Sequence, residues 1–103
     1  MEVQINAPHG QIPAENMENL RLRVEEGMVP FQDKLTRVEV FLKDNNAGKG
    51  GVDKHCSIEA RPRGLKPVAV THDGTQISEA IDGAIDKLHR VLDTRFGKLD
   101  HRD

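Results

Sequence analysis

Between Thr75 and Leu99 the apolar residues Ile77, Ala80, Ile81, Ala84, Ile85, Leu88, Val91 and Leu92 recur three and four positions apart, the spacing that lays one stripe along a helix. Such a stripe has to be buried against a second layer. Two segments ahead of it alternate instead. In Leu35 to Leu42, Val38, Val40 and Leu42 face one way and Arg37, Glu39 and Phe41 the other; in Lys54 to Arg61, Cys56, Ile58 and Ala60 point inward and His55, Ser57, Glu59 and Arg61 outward. Period two predicts half-buried strands. The Asn- and Gly-rich KDNNAGKGG between them supplies the backbone freedom of a hairpin turn.

Leu65 to His72 is a further predicted strand, with Val68 and Val70 inward, and Pro67 marks it as a sheet edge because proline cannot donate to a ladder. Near the start, Glu2 to Asn6 alternates through Val3 and Ile5, and the proline- and glycine-rich APHGQIP follows as a loop. From Ala14 a helix is predicted with Met17, Leu20, Val24 and Met28 on one face; Gly27 weakens it and Pro30 ends it. Thr75 is the expected N-cap of the last helix, with Ser78 or Glu79 completing a reciprocal cap, and Gly97 is its expected stop.

The order β-α-β-β-β-α predicts an α+β fold. A right-handed crossover makes the first strand pair parallel, and short links make the rest an antiparallel meander. One apolar face per element is satisfied by a two-layer sandwich, a four-stranded mixed sheet with two helices on one face. Ala80, Gly83 and Ala84 are small enough to let the last helix approach the sheet closely. Residues 1–99 are expected to form a single domain, and 100–103 a short polar tail.

Composition narrows the functional classes. Without Trp or Tyr, and with three Phe, the core rests on aliphatic side chains. The formal net charge of -2 does not announce a nucleic-acid binder, so such a role needs a local patch. A single cysteine excludes an internal disulfide and fits a reducing compartment. No apolar run reaches the roughly 18–20 residues of a membrane span, and MEVQINAPHG lacks a signal-peptide pattern, so a cytoplasmic location is expected.

Cys56 and His72 share inward parity on consecutive strands, which makes a thiol-imidazole pair conceivable, but a small buried Cys and a strand-end His are commoner. His55 points to the opposite face from Cys56, so the two cannot share a metal in a regular strand. GKGG at 48–51 lacks the Gly-x4-Gly-Lys-Ser/Thr arrangement of a P-loop and precedes a strand, leaving a hairpin tip at which Lys49 and Lys54 could meet an RNA backbone. No catalytic residue, metal site, cofactor or small-molecule substrate is expected.

Two basic clusters remain. Lys54, Arg61, Arg63 and Lys66 face Glu59 alone, a local +3, and Lys87, Arg90, Arg95, Lys98 and Arg102 face Asp93 and Asp100, also +3. A helix macrodipole favours the acid-early, base-late order of the last helix, and phosphate contacts favour it equally, so charge alone does not separate the two explanations.

The element order, FQDKLTRVEVFL, CSIEARPRGLKPVAVTHDG and above all AIDGAIDKLHRVL resemble the ribosome hibernation-promoting and ribosome-associated inhibitor family, also called ribosomal subunit interface or sigma-54 modulation proteins, in its short single-domain form. The resemblance implies a double-stranded-RNA-binding-domain-like fold. It also implies a non-enzymatic factor that binds 16S rRNA of the small ribosomal subunit in the mRNA and tRNA channel, inhibits translation and stabilises idle ribosomes. The family's basic last-helix positions correspond to Lys87 and Arg90, with Arg95 and Lys98 beyond them. Strand parity and local charge add Arg37, Lys54, Arg61 and Arg63 as surface candidates. The alternative expectation is a protein-interaction or regulatory module of the same fold that does not bind the ribosome.

Overall fold

The computed structural model describes residues 1–8, 12–45 and 52–100, with side chains through residue 97. The elements are β1 (Glu2–Asn6), α1 (Ala14–Gly27), a single 3₁₀ turn (Val29–Phe31), β2 (Leu35–Asp44), β3 (Lys54–Pro62), β4 (Val68–Gly74) and α2 (Ile77–Asp100). The sheet order is β1-β2-β3-β4, with β1 parallel to β2 and the other pairs antiparallel. This is the mixed sheet that the crossover and meander predict.

Register follows the alternation. Val3 lies opposite Val38, Val40 opposite Ile58, Leu42 opposite Cys56 and Ala60 opposite Val68, so the apolar faces of all four strands coincide. A one-residue slip would turn each of these side chains towards water, which is why the pattern specifies the pairing. Both helices cover that face. Val24 and Met28 from α1, and Ala80, Ile81, Ala84, Leu88 and Leu92 from α2, are buried with Val38, Val40, Ile58 and Ala60 in one core. Full burial of a Leu or Ile contributes about 1.5–3 kcal/mol relative to exposure, so the α2 stripe is a main source of stability.

The small residues do what their size allows, and one does more. Ala80 and Ala84 are fully buried, and a Cβ on Gly83 would overlap the His72 imidazole. Gly27 is the surprise. It stands where α1 meets α2, and a Cβ there would lie 2.5 Å from Ile85 Cγ2. Its low helix propensity is therefore the cost of a close helix-helix approach as well as a helix end.

Several boundaries differ from the sequence reading. β4 begins at Val68, not Leu65, because the chain is still leaving the turn around Gly64, whose φ of +70° only glycine adopts freely. Pro67 stands just ahead of β4, which is indeed an edge strand. Gln76 rather than Thr75 takes the N-cap position of α2, since its carbonyl accepts the first helical bond from the Ala80 N–H at 3.0 Å. Glu79 reaches one residue further back, accepting from the Thr75 N–H at 3.4 Å and its hydroxyl at 3.3 Å. α2 also runs through Gly97 to Asp100, so Gly97 does not stop it. Val91 is 38% exposed and lies outside the core, whereas Phe96 is buried and stacks on Phe31 at 5.9 Å between ring centroids.

Candidate nucleic-acid interface

The basic side chains divide by what they touch. On the open face of the sheet, Arg37 lies opposite Arg61 and Glu39 opposite Glu59, like charges side by side across β2 and β3. Such pairs repel, and the cations are instead held by carboxylates of their own strands and, for Arg37, also by residues of β1. Arg61 Nε contacts Glu59 Oε1 at 3.0 Å, and Arg37 contacts Glu39 at 3.5 Å, Glu2 at 3.9 Å and the side-chain oxygen of Gln4. This face is electrostatically mixed. Phe41 stands on it, 43% exposed.

Lys54 belongs to neither helix edge nor open face. Its parity is inward, its side chain is 21% exposed, and its ammonium lies 3.1 Å from Asp53 and 3.2 Å from Asp44. The hydrogen bond to Asp53, then that to Asp44, raises its pKa above the ordinary lysine value. Two carboxylates thus compensate a charge that the sequence reading offered to RNA. Lys49 and the Lys98 side chain lie outside the described residues.

A different set of cations has no carboxylate partner among the described residues: Arg63, Lys66, Lys87 and Arg95. They run along one border of the molecule, formed by the β3-β4 turn, the outer edge of β4 and the flank of α2 beside it. Lys87 Nζ donates to the Thr71 carbonyl at 2.9 Å, and Arg95 Nη1 donates to the Lys66 carbonyl at 2.7 Å. Arg63 Nε donates to the Asp33 carbonyl at 3.3 Å. Each bond fixes the charged head of a side chain and engages only one of its N–H-bearing atoms or protons, so further donors are left over. Arg90 lies on the outer surface of α2, 3.2 Å from Asp86, in a pair so exposed that water screens most of its energy.

The opposite flank of α2 carries an acid instead, compensated from the other helix. Asp82 meets Arg23 of α1 at 3.1 Å, tying the two helices together. Charge on α2 is therefore separated sideways as well as along the axis, cations towards β4 and Asp82 towards α1. A macrodipole acts along the axis and accounts only for the axial part. The lateral part makes one edge of the protein positive despite the net charge of -2.

Of the sequence-derived residues, the structure brings Lys87, Arg95 and Arg63 to this border, leaves Arg90 on the outer surface of α2 beside Asp86, and keeps Arg37, Arg61 and Lys54 away from it. Lys66 joins it and was counted only as part of a local charge cluster; its position beside the α2 terminus is what the sequence does not carry. Elsewhere, Cys56 lies directly opposite His72, as parity allows. Burial pushes the thiol up to about 12, so it stays protonated and is a poor nucleophile near neutrality. Among the described residues, no three His, Cys, Asp or Glu side chains are grouped to hold a metal. No helix among them is long and apolar enough to cross a membrane.

The family described as sigma 54 modulation protein / S30EA ribosomal protein matches residues 2–100. Among solved structures, the chain is similar to a ribosomal subunit interface protein from Coxiella burnetii, at 15% identity and a TM-score of 0.74, over 95% of this chain and 100% of that one. It is also similar to the N-terminal domain of Thermus thermophilus Protein Y, at 22% identity and a TM-score of 0.71, over 93% of this chain and 99% of that one. No curated protein sequence matches significantly. At these identities the structural likeness speaks for the fold, while the family match covers almost every residue of the sheet and both helices. On that match, the chain belongs to the sigma 54 modulation protein / S30EA ribosomal protein family.

Proposed function

We propose that this protein is a non-enzymatic ribosome-associated factor that binds rRNA of the small subunit in the channel for mRNA and tRNA, inhibiting translation and stabilising idle ribosomes. The observation that carries the reading is the border of carboxylate-free cations, Arg63, Lys66, Lys87 and Arg95, on a member of a ribosomal-protein family. Phosphate recognition needs positive charge held at fixed spacing, and the carbonyl anchors at Thr71, Lys66 and Asp33 hold three of these four charged groups. Arg90 adds a fifth cation, since its exposed partner Asp86 yields it at little cost.

The reading gives Arg37, Arg61 and Lys54 structural duties instead, because carboxylates already surround them. Binding through phosphates should weaken steeply with salt. Sedimentation of a stationary-phase lysate at low salt tests the proposal: the protein should travel with small subunits or whole ribosomes and leave them as salt rises. A protein that stays wholly at the top of the gradient would refute it.

A further inference from the structure

The net acidity of the chain has a place in the fold, and the basic border does not explain it. α1 carries a second stripe besides its buried one. Leu22, Glu25, Glu26 and Val29 fall at i, i+3, i+4 and i+7, away from Leu20, Val24 and Met28, and the stripe continues through the 3₁₀ turn to Asp33. Together with Met1 these residues line an open groove of about 310 Å³. Leu22 is 44% and Val29 53% exposed, two large apolar side chains facing water in one depression.

The charges around the groove run against local stability. Glu25 and Glu26 occupy the last turn of α1, which has no basic residue, where the negative end of the helix dipole disfavours carboxylates. α2 has the opposite, favourable arrangement. Glu25 is contacted by Arg21 at 2.7 Å, but Arg21 also binds Glu18. No cation pairs with the carboxylate of Glu26 or Asp33 among the described residues; Arg63 reaches the main-chain oxygen of Asp33, not its side chain. An apolar floor, a carboxylate rim and the negative end of a helix dipole together fit a cationic, partly apolar ligand.

We infer that this groove, beside the β1 edge of the sheet and meeting the cationic border only where Arg63 reaches the Asp33 carbonyl, docks a lysine- and arginine-rich protein segment that inserts an apolar side chain between Leu22 and Val29. Charge complementarity selects the occupant: nucleic acid would meet three carboxylates, whereas Lys or Arg side chains would meet Glu25, Glu26, Asp33 and the C-terminal end of α1. The molecule is then two-sided, with a cationic border at β4 and α2 and an anionic apolar groove at β1 and α1. The site stands independently of the RNA reading.

The test uses the full chain and a fluorescein-labelled peptide of repeating Lys-Leu-Arg triplets, read by anisotropy. Binding should fall when Ser replaces Leu in the peptide and vanish when Glu replaces Lys and Arg. Glu26→Lys and Leu22→Ser should each weaken binding by about tenfold, on the scale of losing one favourable contact. Asp93→Lys, which makes the same charge change on α2, should leave binding intact. Glu26→Lys should also keep or raise the melting temperature, since it relieves the dipole conflict; a structural role for Glu26 would lower it. Absent peptide binding, or equal losses in the Glu26 and Asp93 variants, would overturn the inference. So would a concentration-dependent dimer that Leu22→Ser dissociates, which would assign the groove to a second copy of this chain.

Discussion

Lys87 Nζ lies 2.9 Å from the main-chain oxygen of Thr71, joining the flank of α2 to the unpaired edge of β4. The bond serves two ends. It covers a carbonyl on an edge strand, a group open to pairing with other chains, and it holds a cation at the border of the molecule. Removing the charge and removing the bond are therefore separable. Lys87→Gln, which removes the charge but keeps an N–H donor for the edge carbonyl, should cost little stability and reduce small-subunit affinity, lowering the slope of log affinity against log salt by about one. An unchanged slope would mean that Lys87 serves the edge strand alone.

The charge pairing on the open sheet face leads to the opposite expectation for Arg61. Its guanidinium is held by Glu59, and its cross-strand neighbour is Arg37. Arg61→Gln should leave small-subunit binding within about twofold of wild type, while Lys66→Glu, at a position lacking a carboxylate partner, should weaken it by about tenfold or more. Filter binding at fixed salt distinguishes these. The reverse ranking would place the RNA on the sheet face.

Two glycines within α2 should respond oppositely to the same change. At Gly97 an added Cβ meets nothing within 4 Å, so Gly97→Ala should raise stability by about 0.5–1 kcal/mol through helix propensity, a gain of several degrees in melting temperature. At Gly83 the Cβ would overlap the His72 ring, and Gly83→Ala should cost about 1–3 kcal/mol. Adding His72→Ala should restore much of that loss. Failure of this rescue in thermal melts would refute the assigned contact.

Cys56 sets a stability limit at high pH. The pKa of its thiol, 9.0 for a solvated cysteine, is pushed up to about 12 by burial in the fold. The folded state thus holds this proton more tightly than the unfolded one. The contribution is fully present below about pH 9 and is lost progressively as pH rises towards 12. Compared with Cys56→Ala, the wild type should lose stability more steeply across that window in denaturant titrations. Alkylation of the native protein near pH 8 should be slow and should accelerate on unfolding. Rapid modification without unfolding would contradict the burial.

The fold was legible where one physical demand dominated each residue. Val38, Val40 and Leu42 in β2, and Cys56, Ile58 and Ala60 in β3, alternate because one face of the sheet meets the helices, and the α2 stripe repeats because one flank meets the sheet. Legibility failed where two demands competed. Gly97 is a helix breaker by propensity, yet no turn forms there and α2 continues. Gly27 ends a helix and also admits Ile85, a contact between residues far apart in the chain. Phe96 continues the stripe four residues beyond Leu92, and its burial is completed by Phe31, which stacks on it from the 3₁₀ turn.

The candidate site was legible in its residue types and less so in its membership. Lys87, Arg90, Arg95 and Arg63 stand on the surface where their spacing or local charge suggested. Lys54 does not, because Asp44 and Asp53 close on it from both strands of the hairpin, an encounter set by register. Arg37 and Arg61 carry charge of the right sign but spend it on Glu39 and Glu59. Counting charges along the chain cannot tell a compensated cation from an open one; pairing across strands decides it.

Binding of the small ribosomal subunit by the border of Lys66, Lys87 and Arg95 is decided by cosedimentation of purified protein with purified small subunits at low salt. Wild-type protein should pellet with the subunits, and the folded Lys66→Glu, Lys87→Glu, Arg95→Glu variant should stay in the supernatant. Wild-type protein left in the supernatant, or a variant that pellets equally well, would contradict it.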